Sequence, residues 1–190
     1  MCIRDRTKTA AVSRRSQRGI AGMTDTPTFF TVLTPTYNRA GTLHRVYESL
    51  SRQTFRDFEW VVVDDGSTDN THDSILDWQT RADFPIRYVW QNNQHKKTAF
   101  NRGVREARGQ LIVGLDSDDE MPPDALATFK DAWESIPPAR RDSYVAVTGL
   151  CARPDGSIVG DRYPQDVFDS TAVDVYFRYR IKGEKFGCMR

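Results

Sequence analysis

Apolar residues follow two different spacings between residues 28 and 151. Short, almost continuous apolar runs predict buried strands, and apolar residues three or four positions apart predict helices with one buried face. The predicted strands are residues 29–33, 58–63, 86–90, 111–115 and 143–151. The predicted inward faces of the helices between them are Leu43/Val46/Tyr47/Leu50, Ile75/Trp78, Phe100/Val104/Ala107 and Leu126/Phe129/Trp133/Ile136.

This order of elements predicts an α/β fold. Strand and helix alternate with short connections, an order that calls for a mostly parallel, Rossmann-like sheet with helices on both faces. The turn Pro154-Asp155-Gly156 then predicts a β-hairpin from the strand at 143–151 into residues 157–159. Residues 174–179 fit either a strand or a helix. We therefore expect residues 26–190 to form one domain.

Composition changes this picture mainly at the amino terminus. Residues 1–25 lack apolar periodicity and are rich in Arg, Ser and Thr, so we expect a disordered leader there. The net charge of +1 does not indicate nucleic acid as a partner. Cys2, Cys151 and Cys188 are far apart, which fits a reducing compartment and a cytoplasmic location. No run approaches the roughly 18 apolar residues that a membrane span needs.

Four carboxylates follow the fourth predicted strand. They are Asp116, Asp118, Asp119 and Glu120. A buried strand that ends in an Asp-x-Asp cluster is a common way to hold a divalent cation, and carboxylate oxygens suit Mg²⁺ or Mn²⁺. Asp118 and Asp116 are therefore the candidate metal ligands. Taken alone, the motif also fits an acidic, solvated turn before a helix.

Two more loops follow the carboxyl ends of predicted strands, at residues 35–39 and 64–67. In open α/β sheets, ligands bind at this edge. The three loops together suit a nucleoside diphosphate, because Tyr37 can stack on a base and Asp65 can accept a hydrogen bond from a base N–H. Asp116 can accept from ribose hydroxyls, and Asp118 can hold a metal ion beside the diphosphate. The helix that starts near Lys96 and Lys97 can add positive charge.

Two stretches resemble a known family. FTVLTPTYNRAGTLHRVYESLSRQTFRDFEWVVVDDGSTDNT is similar to the opening of family 2 glycosyltransferases, which have the GT-A fold. AFNRGVREARGQLIVGLDSDDEMPPDAL is similar to their later part, which ends in the DxD motif. The resemblance covers roughly residues 28–135, with several motifs in the expected order and spacing.

The resemblance implies a nucleotide-sugar donor, with a UDP-sugar favoured, a Mn²⁺ or Mg²⁺ ion and inversion at the anomeric carbon. Asp116 and Asp118 match the two aspartates of DxD, of which the second usually binds the metal. The remaining donor contacts that the resemblance implies are Pro35, Tyr37, Arg39, Asp65 and Lys96. Many members carry glycines before this lysine, where the present chain has Gln94-His95.

The catalytic base is not assigned by the sequence. In the family an Asp or Glu well after DxD usually removes the proton of the acceptor hydroxyl. The acidic residues available here are Asp161, Asp166, Asp169, Asp174 and Glu184, and none lies in a matching motif. We expect the base to lie beyond Arg190 in a longer protein, so that this chain binds the donor without efficient transfer. The expected acceptor is a saccharide or a lipid-linked molecule, used in the cytoplasm or at the inner face of the membrane.

Two alternatives stay open. One is a truncated domain that binds the donor but catalyses nothing. The other is a phosphatase of the haloacid dehalogenase type, which also uses a strand that ends in Asp-x-Asp. Such a phosphatase would carry the motif after its first strand, whereas here the motif follows the fourth predicted strand.

Overall fold

Alternating strands and helices make up most of the chain, as the apolar pattern predicts. The computed structural model describes residues 2–4 and 27–190. In chain order the elements are β1 (Cys2–Arg4), β2 (Phe30–Thr36), α1 (Leu43–Ser51), β3 (Phe58–Asp64), α2 (Thr71–Arg81), β4 (Ile86–Trp90), α3 (His95–Glu106), β5 (Leu111–Gly114), α4 (Ala125–Glu134), a 3₁₀ helix (Pro138–Ser143), β6 (Tyr144–Leu150), a π-helix (Asp174–Arg178) and β7 (Lys185–Met189).

The described strands form one sheet in the order β1-β6-β7-β5-β2-β3-β4. β2 pairs in parallel with β3 and β5, and β3 pairs in parallel with β4. β7 is antiparallel to both β5 and β6, so β6 runs in the same direction as β5. Because only β1 and β7 run the other way, the predicted mostly parallel sheet is confirmed.

Helices cover both faces of the sheet, as predicted. β2 and β3 are buried along their whole length, which explains their almost continuous apolar sequences. On one face, Val32 and Trp60 belong to a core shared with α1, α2 and α4. On the other face, Leu33 and Val61 pack with Ala99 of α3. The carboxyl ends of β2, β3 and β5 are thereby held at one edge of a rigid sheet.

The buried face of α3 differs from the predicted face. Ala99 and Gly103 are buried, whereas Val104, which was expected to point inward, is 39% exposed. A Cβ atom at position 103 would lie 2.0 Å from Leu33 Cδ1. A glycine at this position is therefore what allows α3 to lie so close to β2. Small residues, not large ones, decide how this helix packs.

The second half of the sheet departs from the prediction in two ways. The predicted hairpin forms, with an isolated bridge between Ala152 and Ile158, but residues 157–159 do not extend it into a strand of the sheet. The strand beside β6 is instead β7, which the apolar pattern did not predict. β7 has only one fully buried side chain, Cys188, so its sequence shows no clear period. Residues 174–178, left open between strand and helix, form the π-helix.

The amino terminus contributes one short strand. β1 pairs antiparallel with β6 at the edge of the sheet. Its three residues fall within the predicted disordered leader, and the structure places them in a strand. Pairing with a sheet edge uses backbone hydrogen bonds, which need no apolar periodicity. Residues 5–25 of the predicted leader lie outside the described residues.

Candidate functional site

One cleft brings together the residues that the sequence predicted. It lies where β2, β3 and β5 end and has a volume of about 320 Å³. Its lining residues are Pro35, Thr36, Tyr37, Arg39, Asp65, Lys96, Ala99, Asp116, Ser117 and Asp118. Every predicted donor and metal residue is in this set. Thr36, Ala99 and Ser117 were not predicted, and each is a sequence or helix neighbour of a predicted residue.

The first two loops are joined by Asn38. Its backbone N–H donates to Ser67 Oγ over 2.8 Å, and its Oδ1 accepts from the Thr68 backbone N–H over 2.7 Å. Asn38 has a φ of 51°, a left-handed conformation that asparagine tolerates better than most residues. The Tyr-Asn pair after Pro35 therefore turns the chain sharply. Tyr37, which is 47% exposed, is left with an accessible ring in the cleft.

Asp69 continues this link toward α2. Its Oδ2 accepts from the Ala40 backbone N–H over 3.0 Å, and its Oδ1 accepts from the Thr71 backbone N–H over 3.1 Å. Burial raises the pKa of Asp69, but the hydrogen bonds from Thr71 and Ala40 outweigh burial, so the pKa lies below its ordinary value. The Arg39 backbone N–H also donates to Thr71 Oγ1 over 3.2 Å. The loop that carries Arg39 is thus fixed to the start of α2.

The two aspartates at the end of β3 have different environments. Asp64 is fully buried, and it accepts from the Ser67 backbone N–H and from the Tyr88 hydroxyl at 2.8 and 2.7 Å. Burial and the Asp64 carboxylate both raise the pKa of Tyr88 above its ordinary value. Asp64 therefore has a structural role, and it does not line the cleft.

Asp65 faces the cleft with one oxygen unused. Its Oδ1 accepts from the Gln91 side-chain amide at 2.7 Å and from the Gln94 backbone N–H at 2.9 Å. Both hydrogen bonds that Asp65 accepts from other described side chains or backbone groups go to Oδ1. The fixed Oδ1 orients the carboxylate, and Oδ2 is left for a hydrogen-bond donor in the cleft.

The start of α3 brings a lysine to the acidic turn (residues 116–119). Lys96 Nζ lies 2.6 Å from Asp116 Oδ2. His95 precedes it with a φ of 70°, the left-handed conformation that favours glycine. Although the chain carries His95 in place of a glycine, the backbone therefore adopts the conformation that a glycine would adopt readily. Lys96 reaches the cleft from this position.

The acidic turn concentrates negative charge. Burial raises the pKa of Asp119, and the nearby Asp116, Asp118 and Glu184 raise it further, while Lys96 offsets part of the effect. The contribution of the three neighbouring carboxylates reports a negative local potential, which favours a cation. Asp118 is exposed and forms no hydrogen bond or ion pair with another residue of the described ranges. Its carboxylate is therefore available as a ligand.

The described residues contain no group of three or more His, Cys, Asp or Glu side chains that could hold a metal ion alone. Mg²⁺ and related ions are often held by one or two carboxylates together with substrate phosphates and water. The pair Asp116 and Asp118 fits that donor set. The contact between Lys96 and Asp116 shows that this position already accepts a positive charge.

A second cavity adjoins the cleft. It measures about 270 Å³, shares Lys96 and Asp116 with the cleft, and is lined on its far side by residues of β6 and β7, among them Lys185. No pattern in the sequence identified Lys185 as a lining residue, because β7 itself was not predicted. The cavity extends the site beyond the acidic turn toward the second half of the sheet.

Three of the later candidate carboxylates accept hydrogen bonds from residues outside the cleft, whereas Glu184 lies near enough to the acidic turn to raise the pKa of Asp119. Asp169 accepts from the Tyr144 hydroxyl, Asp174 from the Thr171 hydroxyl, and Asp161 from the Lys182 backbone N–H. No described carboxylate after the acidic turn lines the cleft.

In the described part of the chain, no helix is long and apolar enough to cross a membrane.

Comparison with known proteins gives a family match over most of the domain. The family model described as glycosyl transferase family 2 matches residues 31–181. Validoxylamine A glucosyltransferase of Streptomyces hygroscopicus is 36% identical over 134 residues, which are 68% of this chain and 30% of that protein. GalNAc(5)-diNAcBac-PP-undecaprenol beta-1,3-glucosyltransferase of Campylobacter jejuni is 35% identical over 122 residues, 63% of this chain and 37% of that protein. The chain thus spans about a third of the length of these relatives.

Solved structures share the fold. TarS 1-349 of S. aureus in complex with UDP-GlcNAc is 25% identical, with a TM-score of 0.52 over 73% of this chain and 38% of that chain. The mannosyltransferase PcManGT of Pyrobaculum calidifontis, in complex with GDP-Man and Mn²⁺, is 28% identical, with a TM-score of 0.56 over 68% of this chain and 37% of that chain.

Proposed function

The chain belongs to glycosyl transferase family 2, and we propose that its cleft binds a nucleotide-sugar donor for metal-assisted transfer of the sugar, with inversion, to an acceptor hydroxyl. The observation that carries the proposal is the meeting of Tyr37, Asp65, Lys96, Asp116 and Asp118 in one cleft. These residues come from loops far apart in the sequence, yet together they offer a group for each part of a nucleoside diphosphate.

The nucleoside lies on the side of the cleft formed by the first two loops. The exposed ring of Tyr37 stacks on the base, and Asp65 Oδ2 accepts from a base N–H. Pro35 and Arg39 line the same side and complete the pocket. Because Asp65 is oriented by Gln91 and by the backbone, it selects a base with an N–H in a fixed direction, as uracil has. A UDP-sugar is the favoured donor, as the family resemblance implies, and the UDP-GlcNAc complex of TarS supports it by analogy.

The diphosphate lies over the acidic turn. Asp118, with Asp116, holds Mn²⁺ or Mg²⁺, and the phosphate oxygens supply further ligands. When bound, the ion neutralises the charge that develops on the leaving diphosphate. Lys96 adds a second positive charge from α3. The presence of Mn²⁺ in the PcManGT complex supports this assignment by analogy.

The sugar points toward the second cavity, which begins at Asp116 and Lys96. There an acceptor hydroxyl attacks the anomeric carbon from the side opposite the diphosphate, and a carboxylate base takes its proton. No described carboxylate after the acidic turn lines the cleft, and we propose that the base lies outside the lining residues. We propose a saccharide or lipid-linked acceptor, because one relative is named for a lipid-linked substrate. For such substrates we propose that the enzyme acts in the cytoplasm or at the inner face of a membrane.

The test measures the melting temperature with UDP, GDP, dTDP and CDP, each with and without Mn²⁺. A ligand at about 100 times its Kd adds roughly 2.7 kcal/mol, which for this size of domain is a rise of several degrees. We expect UDP with Mn²⁺ to give the largest rise. Asp118→Ala should abolish the effect of Mn²⁺, whereas Asp131→Ala, which removes an exposed carboxylate of α4, should keep it. If no nucleotide raises the melting temperature of the wild type, the proposal is wrong.

Release of UDP from UDP-sugars separates the two alternatives from the proposed enzyme. A domain that only binds the donor would show the melting shift without release of UDP. A phosphatase would instead release phosphate from simple phosphomonoesters. The Asp-x-Asp motif follows β5, after β2, β3 and β4 in the chain rather than after the first strand of the domain, and the family match covers this motif. Both observations favour the glycosyltransferase over the phosphatase.

A further inference from the structure

The segment that follows the acidic turn, residues 120–123, is held by α1 and by the residues directly after it. Arg45 Nε donates to Glu120 Oε1 over 2.8 Å, and Arg52 lies 3.5 Å from Glu120 Oε2. The Thr54 backbone N–H donates to the Pro123 carbonyl over 2.8 Å. These contacts join parts of the chain that are far apart in sequence. The acidic turn is therefore held through α1 as well as through β5.

Gln53 makes the buried part of this connection. Gln53 is only 3% exposed. Its Nε2 donates to the Pro122 carbonyl at 2.7 Å and to the Ser49 carbonyl at 3.2 Å. Its Oε1 accepts from the Leu126 backbone N–H at 3.2 Å, near the start of α4. One side-chain amide thus connects the end of α1 with Pro122 and with the first turn of α4.

The buried amide outweighs the ion pairs beside it. The side chains of Arg45 and Glu120 are 44% and 43% exposed, and exposed pairs of this kind contribute little to stability. Loss of the Gln53 amide would leave the buried Leu126 N–H without its acceptor, which is far more costly, and would leave the Pro122 carbonyl with the local hydrogen bond from the Ala125 N–H. Gln53 is therefore the residue on which the position of the segment mainly depends.

Asp118 lies between two fixed points. Upstream, the Leu115 backbone N–H donates to the Leu33 carbonyl at 2.9 Å, which fixes the end of β5. Downstream, Gln53 fixes Pro122. No hydrogen bond to another described residue orients the Asp118 carboxylate itself. Its place in the cleft thus follows from the backbone between the two fixed points.

We propose that Gln53 is a positioning residue for the metal ligand Asp118, and that it sets how strongly a metal ion and a nucleoside diphosphate support each other's binding. The inference rests on the proposed function, because it assumes that Asp118 holds the metal ion. It adds a residue that touches neither the ion nor the donor. Residues that orient metal ligands typically change metal affinity by about 10- to 100-fold when they are replaced.

The test compares Gln53→Met with Thr34→Val in the full chain. Methionine keeps the length of the side chain and removes the amide. Thr34→Val is the matched control, since it removes the buried hydrogen bond from Trp60 Nε1 to Thr34 Oγ1, 2.9 Å long, without touching the acidic turn. The Kd of UDP is measured by calorimetry with and without Mn²⁺. Hydrogen exchange of the backbone amides at residues 117–121 is measured without ligand.

We expect Gln53→Met to reduce the gain in UDP affinity from Mn²⁺ by about tenfold or more, with the Kd of UDP alone changed less than about twofold. Amide exchange at residues 117–121 should speed up in this variant only. Thr34→Val should lower the melting temperature but keep the gain from Mn²⁺. A merely structural role for Gln53 would lower the melting temperature without changing that gain.

Three results would overturn the inference. They are an unchanged gain from Mn²⁺ in Gln53→Met, an equal loss of that gain in Thr34→Val, and unchanged amide exchange in Gln53→Met. If UDP fails to bind the wild type with or without Mn²⁺, the proposed function fails at the donor site. In that case the exchange measurement still decides whether Gln53 fixes the turn, so the two failures are distinguishable.

Discussion

Lys96 has two opposing effects in the proposed site, and Lys96→Met separates them. Its Nζ lies 2.6 Å from Asp116 Oδ2, so it competes with a metal ion for that carboxylate. It also offers a positive charge to a bound diphosphate. We therefore expect Lys96→Met to bind Mn²⁺ alone more tightly and UDP in the presence of Mn²⁺ more weakly. Opposite changes in the affinity for Mn²⁺ alone and in the affinity for UDP with Mn²⁺ would identify this arrangement.

The exposure of the ion pair sets the size of the first effect. The side chains of Lys96 and Asp116 are 66% and 47% exposed, so the pair is worth about 1 kcal/mol at most, or about fivefold in the affinity for Mn²⁺ alone. A hydrogen bond between a charged group and a phosphate contributes about 1.5–3 kcal/mol. Because Lys96 is exposed, we expect the lower end of that range, a loss of about tenfold in UDP affinity.

Calorimetry with UDP and electron paramagnetic resonance of free Mn²⁺ measure the two effects. Lys97→Met is the matched control, since it removes the same charge from the next residue of α3, which is exposed and does not line the cleft. It should change both affinities by less than about twofold, because a distant exposed charge is screened. Equal losses of UDP affinity in both variants, or weaker binding of Mn²⁺ alone to Lys96→Met, would refute the reasoning.

Two further predictions concern stability. Gly109→Ala places a Cβ atom 2.3 Å from the Thr31 backbone nitrogen, so we expect a loss of about 2 kcal/mol, or about 4–8 °C in melting temperature, with UDP affinity kept; an unchanged melting curve would contradict this. Asp69→Ala removes the acceptor for the Ala40 and Thr71 N–H groups and should cost about 0.5–1 kcal/mol at pH 7, at the low end because Asp69 is exposed. Because the folded pKa of Asp69 is lowered, this contribution is present above the ordinary pKa of about 3.9 and is lost as the pH falls through the lower folded value. The free energies of unfolding of the wild type and of Asp69→Ala, measured by denaturant unfolding from pH 7 downward, should therefore converge in acid. A constant difference between them would show that the carboxylate charge is not involved.

The sequence was sufficient to predict seven of the ten residues that line the cleft. Parallel strands place their carboxyl ends at one edge, so the loops that carry Tyr37, Asp65 and Asp118 had to meet once the alternation of strands and helices was recognised. The loops after β2 and β3 are each short, which leaves little freedom in where these side chains lie. The order of elements alone therefore carried most of the prediction.

The contacts that fix the loops could not be predicted in the same way. Asn38 meets Thr68, and Gln53 meets Pro122, through hydrogen bonds between segments distant in the sequence. Nothing in the periodicity of either segment identifies its partner. The same holds for β1 and β7, which join the sheet by backbone pairing, and the side chains of β7 show no regular burial. Packing by Gly103 was missed because the prediction relied on large apolar residues.

The place of β7 has a consequence for the order of folding. β7 lies between β5 and β6 in the sheet although it follows both in the chain, and its pairing of Cys188 with Val113 is highly non-local. Pairings of this kind form late, because a long loop must close before they contribute. The neighbouring strands β2 to β5 can associate while the chain is still being synthesised, and residues 30–118 already include every residue that lines the cleft. We therefore expect the donor-binding edge to form before the sheet is complete, with β6 and β1 joining it only when β7 has emerged from the ribosome.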